Sequence, residues 1–194
     1  MSKSKIVFVS HCILNTASKV FYHNQEGKVS ENLTRKRFLK ECASHNIQLI
    51  QLPCPEFLMY GANRWGHSKN QFDNPFYKEK CKEILVPYIL QIKAYLNEPD
   101  RFDVLGIIGI DGSPSCGVST CFSGKWGGEF SSCECIDTVL KNCSVKKEKG
   151  VFIEVLNELL EKEDIDLPMV ALKNNVLNKL LRIPSLGLKE ACKI

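Results

Sequence analysis

Three cysteines of the chain occupy positions at which thiols often do chemistry. Cys12, Cys54 and Cys116 each follow an apolar run that is typical of a buried strand. Thiolates are soft ligands that suit zinc or an iron–sulfur cluster, and a single activated thiolate can instead act as a nucleophile. The residue types therefore predict a metal ion, a cluster or a reactive cysteine.

The set contains three thiols and lacks an obvious fourth ligand. Structural zinc sites fill all four positions with protein groups, whereas catalytic metal sites leave one position open for water or substrate. Gly112 and Gly117 flank the turn around Cys116, and they allow backbone N–H groups to converge in a nest that suits clusters and anions. The same nest would help to keep Cys116 ionised. The pattern favours a site with one open position.

The three cysteines converge only if the segments before them are parallel strands of one sheet. Apolar runs alternate with helical patterns along the chain, which predicts βαβ units and a three-layer α/β sandwich. We expect a mainly parallel, Rossmann-like sheet of about four strands, and a single domain that covers residues 1–194. The predicted strands are 5–10, 47–52, 103–110 and 169–172, and the predicted helices are 32–44, 74 to a stop at 97–99, 150–163 and 174–182.

Open α/β sheets bind ligands outside the carboxyl ends of their strands, at the point where the strand order reverses. Parallel strands would bring Cys12, Cys54 and Cys116 to that edge, although they are far apart in the chain. The competing interpretation is three unrelated buried cysteines. Long loops at the site are also expected, because three connections far exceed the length of an ordinary strand-to-helix loop. They are 11–31, 53–73 and 111–149.

Composition limits the compartment and the partners. The chain has ten cysteines, no recognisable secretory signal and no apolar segment near the length of a membrane span. We therefore expect a cytoplasmic protein with reduced cysteines. Lysine and arginine total 26 against 22 for aspartate and glutamate, a net charge of +4. This mild excess tolerates an anionic or nucleotide-like ligand, but neither a nucleic acid nor a membrane is an expected partner.

Three segments around the cysteines resemble the signature blocks of the thiouracil desulfidase (TudS-like) family. They are Cys12–Asn15, Cys54–Glu56 with Gly61 and Arg64 downstream, and Ser113–Gly117, in the order and spacing of that family. The helix start at 150–154 and the strand after Pro168 resemble a longer, TudS-related branch of desulfidases. The resemblance thus spans most of the chain, and its third block is the most specific.

The resemblance implies a [4Fe-4S] cluster held by Cys12, Cys54 and Cys116, with the fourth iron free of protein ligands. The implied substrate is a thiolated small molecule, either a thiouracil-like nucleobase or nucleoside or another thioamide. Its sulfur would bind the open iron, which acts as a Lewis acid while water attacks the carbon and sulfide leaves. The implied activity is an iron–sulfur-dependent desulfidase that needs no net redox change.

Within the implied reaction, the attacking water needs a base and the departing product needs a proton. Glu56, two residues beyond Cys54, is the first acid/base candidate, and Ser113 is the second. Glu56 could instead cap a helix or pair with Arg64, and Ser113 could only shape its turn. Asp111 is another acid at the end of a strand, and an aspartate here differs from the pattern of the shorter branch of the family. The identity of the base therefore stays open. The predicted substrate contacts are Arg64, Asp111 and Asn15.

The other cysteines divide by position. Cys42 and Cys81 lie on apolar helix faces and are predicted to be core residues, and Cys192 lies in the C-terminal tail. The cysteines that share the longest connection are Cys121, Cys133, Cys135 and Cys143. Structural zinc sites favour pairs with a CxxC-like spacing. A second metal site is therefore a weaker hypothesis here than redox pairing or a plain loop.

Two other classes of function fit the same residues. One is a sulfurtransferase that carries a persulfide on Cys116 without a metal, which needs a depressed thiol pKa. The other is a non-catalytic module that binds a cluster or a small molecule for sensing, favoured if the long loops are disordered and Glu56 points away from the crevice. Iron content distinguishes the desulfidase from the sulfurtransferase. A pocket that encloses the open iron would distinguish the desulfidase from the non-catalytic module.

Overall fold

The chain forms a central parallel sheet covered by helices in the computed structural model, which describes residues 3–21, 23, 25–125, 127–129, 131, 133 and 135–182. The strands are β1 (Ser4–Val9), β2 (Ile47–Gln51), β3 (Phe102–Gly109), β4 (Cys121–Ser123), β5 (Ser144–Lys146) and β6 (Met169–Ala171). The helices are α1 (His11–Leu14), α2 (Gln25–Ser44), α3 (Pro55–Tyr60), α4 (Lys69–Phe72), α5 (Pro75–Leu96), α6 (Ile136–Lys141), α7 (Val151–Lys162) and α8 (Val176–Arg182), and a 3₁₀ turn covers Thr16–Ser18.

The central sheet has the strand order β2-β1-β3-β6, and all of its strands are parallel. This arrangement confirms the predicted α/β sandwich with a Rossmann-like sheet of four strands. The chain adds β2 on one side of β1 and places β3 and β6 on the other side. The strand order therefore reverses between β1 and β3, and a crevice for a ligand is expected at their carboxyl ends.

The two central strands are buried on both faces. Val7, Phe8 and Val9 of β1 and Ile107 and Ile108 of β3 have no exposed surface, as expected for strands with helices on both sides. One face packs against α5 and α7, and the opposite face packs against α2 and α8. Cys81 belongs to the first core layer and Cys42 to the second, which confirms that both are core residues.

Gly106 makes a β-bulge in β3. The pairing with β1 shifts at this point, so that Leu105 is left without a partner on β1. The φ of Gly106 is +141°, and a Cβ there would lie 2.4 Å from the carbonyl oxygen of Pro168. The extra residue moves the alternation of side chains by one position, so that Val104 and Ile107 face the same core layer.

The predicted connections contain more regular structure than the sequence indicated. Helix α2 begins at Gln25 instead of Asn32, because the polar stretch before Asn32 is rich in helix formers that carry no apolar period. Helices α1, α3, α4 and α6 and the antiparallel ribbon of β4 and β5 lie within the connections expected to be loops. Each element is too short to show a periodicity. No helix in the described part of the chain is both long enough and apolar enough to cross a membrane.

Candidate functional site

The three predicted cysteines lie at the carboxyl edge of the sheet. Cys12 lies in α1 directly after β1, Cys54 is the N-cap residue of α3 after β2, and Cys116 lies in the turn after β3. All three are free thiols. Cys54 and Cys116 are each 5% exposed, and Cys12 is half-buried. The parallel topology thus brings together residues that are far apart in the chain.

Each of these thiols lies within electrostatic range of another. A hydrogen bond with the Cys54 thiol, against the effect of burial, lowers the pKa of Cys12 to about 7. The same hydrogen bond, burial and the charge of Cys116 raise the pKa of Cys54. Burial and the charge of Cys12 raise the pKa of Cys116 to about 12. Three thiolates in this place would need a positive partner.

The loop after β1 holds Cys12 through a 3₁₀ turn. Ser18 Oγ lies 3.8 Å from Cys12 Sγ and 2.8 Å from the carbonyl oxygen of Asn15. Asn15 Oδ1 accepts a hydrogen bond from the N–H of Ala17 at 3.0 Å. The predicted substrate contact Asn15 therefore caps this turn. Nothing in the sequence singled out Ser18 as a neighbour of the thiol.

Cys54 is held by the start of a helix. The N–H of Phe57 donates to Cys54 Sγ at 3.4 Å, which is the position that a capping side chain takes at a helix N-terminus. Pro55 occupies the first helical position, where its missing N–H costs nothing. The same turn carries Glu56, so the cysteine and the carboxylate are positioned by one short helix.

Ser113 shapes the turn that carries Cys116. Ser113 Oγ accepts hydrogen bonds from the N–H groups of Ser115 at 3.3 Å and Cys116 at 3.0 Å. The N–H of Gly117 donates to the carbonyl oxygen of Ser113 at 3.0 Å. The turn-forming role considered for Ser113 is therefore present, and its acid/base role stays a prediction. Because both acceptor positions of its hydroxyl are used, Ser113 keeps a proton to donate.

Ser115 links the two acid/base candidates. Its Oγ lies 2.5 Å from Glu56 Oε1, 3.3 Å from Ser113 Oγ and 3.4 Å from Cys116 Sγ. Since Ser113 Oγ already accepts two N–H groups, Ser113 is the donor to Ser115, and Ser115 is the donor to the Glu56 carboxylate. The three residues form a directional chain of hydrogen bonds. Ser115 is not among the predicted site residues, although its place inside the third signature block was a usable signal.

Arg64 ties α3 to the loop that carries Cys12. Its side chain is 3% exposed, and Nε donates to Glu56 Oε2 at 3.4 Å. Its terminal nitrogens donate to the carbonyl oxygens of Gly61 at 3.0 Å and Ser18 at 2.8 Å. The Glu56–Arg64 pair suggested by the sequence is confirmed. Each guanidinium nitrogen has a partner, so a substrate contact by Arg64 would compete with these bonds.

Asp111 organises the start of the connection after β3. Its Oδ1 accepts hydrogen bonds from the N–H groups of Val118, Ser119 and Thr120 at 2.8–3.2 Å, and Lys173 lies 3.1 Å from Oδ2. Burial opposes its ionisation, but these donors and Lys173 hold the pKa of Asp111 below its usual range. Asp111 faces a cleft of about 310 Å³ on the side of β6, and none of the three cysteines lines that cleft.

Several buried polar atoms in the described residues have no hydrogen-bond partner. They are Ser10 Oγ, Arg35 Nε, His67 Nδ1 and Tyr77 Oη. Ser10 adjoins α1 and interacts with Cys116, and the charge of Glu56 acts on both His67 and Tyr77. Buried polar groups are normally satisfied. Ser10, His67 and Tyr77 therefore mark the surroundings of Glu56 and Cys116 as a place where further polar groups or a ligand fit.

The cysteines of the longest connection do not assemble into a recognisable metal site. No three His, Cys, Asp or Glu side chains within the described ranges are arranged to hold one metal ion. Cys121 is buried in β4, Cys133 and Cys143 are half-buried, and Cys135 is exposed. Cys192 lies outside the described residues. The connection is not a plain loop, because it contains β4, α6 and β5, and redox pairing of its cysteines stays a prediction.

Gly150 packs against the turn that carries Cys116, and replacing it tests this contact. A Cβ at position 150 would lie 2.5 Å from the carbonyl carbon and oxygen of Ser115. We expect Gly150→Ala to displace the turn and lower the free energy of unfolding by roughly 1–3 kcal/mol, measured by urea denaturation. Gly66→Ala is the matched control, because a Cβ there meets nothing within 4 Å. Equal stability of the two variants would contradict the packing argument.

Comparisons with known proteins identify relatives of the chain. Residues 4–160 match a family model described as "Putative 2-thiouracil desulfurase". The uncharacterized protein MJ0003 of Methanocaldococcus jannaschii is 28% identical over 165 residues, which cover 83% of this chain and 100% of that protein. No solved structure matches the chain. Because the family model covers most of the chain, including Cys12, Cys54 and Cys116, the chain belongs to the putative 2-thiouracil desulfurase family.

Proposed function

We propose that the protein removes sulfur from a small molecule with a thiocarbonyl group, a thiouracil-like nucleobase or nucleoside. The observation that carries this proposal is the presence of three free thiols beside the Ser115–Glu56 hydrogen bond at the switch point of the sheet. The family description supports a substrate of the thiouracil type. The reaction converts the thiocarbonyl compound and water into the carbonyl compound and hydrogen sulfide, so no oxidant or reductant is consumed.

The donor set fits a [4Fe-4S] cluster held by Cys12, Cys54 and Cys116. Cluster cysteines bind separate irons, whereas all ligands of a zinc ion must lie about 2.0–2.3 Å from one point. The three thiols are free and interact with one another, with a hydrogen bond between Cys12 and Cys54 and the charge of Cys116 acting on Cys54. The Ser10 hydroxyl beside Cys116 is a free donor of the kind that cluster sulfurs accept. The soft thiol donors and this hydroxyl support a cluster.

Glu56 is the proposed acid/base residue. When bound, the cluster would supply an open iron that acts as a Lewis acid toward the thiocarbonyl sulfur. The Glu56 carboxylate, which is 13% exposed, would take a proton from the attacking water and return it to the departing product. Ser115 and Arg64 each hold one of its oxygens, so the carboxylate is oriented before a substrate arrives.

The two alternative functions have weaker support. A persulfide-carrying sulfurtransferase would need Cys116 to ionise readily, whereas burial and the charge of Cys12 raise its pKa to about 12. A non-catalytic module is favoured by disordered long loops and by a Glu56 side chain that points away from the crevice. The carboxylate instead accepts a hydrogen bond from Ser115, whose hydroxyl also lies 3.4 Å from Cys116 Sγ.

Anaerobic reconstitution with iron and sulfide tests the proposed function. We expect roughly four irons per chain, the visible absorption of an iron–sulfur cluster, and conversion of 2-thiouracil into uracil with release of sulfide. Metal-free protein is the control and should be inactive. Full activity of the metal-free protein would overturn the cluster mechanism, and a persulfide detected on Cys116 in that sample would favour the sulfurtransferase.

A further inference from the structure

The Tyr77 hydroxyl is a buried polar group whose environment packing alone does not explain. Tyr77 has no exposed surface and lies in the first turn of α5, where its N–H donates to Asn74 Oδ1 at 3.0 Å. Its ring stacks on Phe72, with the ring centroids 4.3 Å apart and an interplanar angle of 4°. Both contacts fix the ring, and neither uses the hydroxyl, which has no hydrogen-bond partner among the described residues.

The neighbours of this hydroxyl belong to the proposed active site. Glu56, Cys116 and the Ser115 hydroxyl all interact electrostatically with Tyr77, although its hydroxyl forms no hydrogen bond with them. A buried O–H group without a partner is costly, and phenylalanine would fill the same space without that cost. The presence of a tyrosine therefore points to a use for the oxygen.

Ser115 offers an acceptor for the Tyr77 proton. A serine hydroxyl has one proton and two acceptor positions. The proton of Ser115 goes to Glu56 Oε1 at 2.5 Å, and one acceptor position takes the Ser113 hydroxyl at 3.3 Å. One acceptor position of Ser115 Oγ is left, and a small adjustment of the buried phenol would fill it.

We propose that Tyr77 is a positioning residue, which donates a hydrogen bond to Ser115 and thereby keeps the Ser115 proton on Glu56. With both acceptor positions filled, Ser115 Oγ can direct its proton only toward the carboxylate. Without Tyr77, the hydroxyl is free to rotate toward Cys116 Sγ, 3.4 Å away. The catalytic consequence rests on the proposed function, whereas the proposed hydrogen bond needs only the small adjustment of the phenol and no cluster.

Tyr77→Phe tests the proposal, because it removes one oxygen and keeps the stack on Phe72. In the infrared spectrum of the metal-free protein, the carboxylate band of Glu56 is identified by its loss in Glu56→Gln. We expect this band to shift in Tyr77→Phe and to stay in place in Tyr88→Phe, a partly buried tyrosine of the same helix. In the reconstituted protein, kcat for 2-thiouracil should fall roughly ten-fold at unchanged KM, iron content and urea midpoint.

A double variant separates a shared hydrogen bond from two independent effects. Tyr77→Phe combined with Ser115→Ala should shift the Glu56 band no further than Ser115→Ala alone, because both residues act through one contact. An unchanged band in Tyr77→Phe, or additive shifts in the double variant, would overturn the proposal. The infrared test needs no cluster, so a wild type that fails to bind iron or to release sulfide defeats the proposed function without deciding the role of Tyr77.

Discussion

Cys54→Ala is expected to abolish iron binding and desulfuration together. After anaerobic reconstitution, iron should fall from roughly four atoms per chain to near zero. In the proposed cluster the fourth iron would be kept for the substrate, so the loss of one of the three thiols would leave two protein ligands. Cys54 Sγ also accepts the N–H of Phe57 at 3.4 Å, which holds this thiol at the start of α3. Iron and sulfide counting, together with the visible spectrum, measures the loss.

Two buried cysteines serve as matched controls for this experiment. Cys42 is 1% exposed and packs in the core layer of α2, and Cys81 is fully buried in the core layer of α5. Cys42→Ala and Cys81→Ala remove thiols of similar burial, and both are expected to retain the cluster. Loss of iron in either variant, or full iron in Cys54→Ala with a native circular dichroism spectrum, would show that the proposed ligand set is wrong.

Glu56→Gln is expected to reduce kcat for 2-thiouracil by roughly 100- to 10,000-fold, the range found when a general acid or base is removed. Glutamine has nearly the same shape, and its amide oxygen can still accept the Ser115 hydrogen bond that Glu56 Oε1 accepts at 2.5 Å. It cannot take a proton from water. Iron content and the visible spectrum should therefore stay at wild-type values while single-turnover release of sulfide slows.

Glu83→Gln is the control for the loss of one carboxylate. Glu83 lies on the exposed side of α5, where its side chain is 66% exposed and pairs with Lys80 at 2.7 Å. Its substitution should leave both iron content and kcat unchanged. A Glu56→Gln variant with wild-type kcat would remove Glu56 from the mechanism and turn attention to Ser113, the second acid/base candidate. Loss of iron in Glu56→Gln would instead indicate a structural role at the cysteines.

The sheet could be predicted because its central strands are buried on both faces. Such strands must be continuously apolar, and β1 and β3 lie where the runs 5–10 and 103–110 predicted them. The bulge at Gly106 was beyond the reach of local patterns, because it depends on the close approach of Pro168, which is distant in the chain. The short helices of the long connections were missed for a different reason, since four to six residues are too few to display a period.

The sequence by itself determined the parallel sheet, the position of Cys12, Cys54 and Cys116 after its strands, and the resemblance that points to sulfur chemistry, because strand patterns and signature blocks are local properties. Only the tertiary structure decided how the side chains around the thiols are connected. The Ser115–Glu56 hydrogen bond spans 59 positions of the chain, and Arg64 reaches Ser18 across 46. Such bonds form only when separate elements are placed to within a few tenths of an ångström of the right distance. No periodicity along the chain can specify that placement.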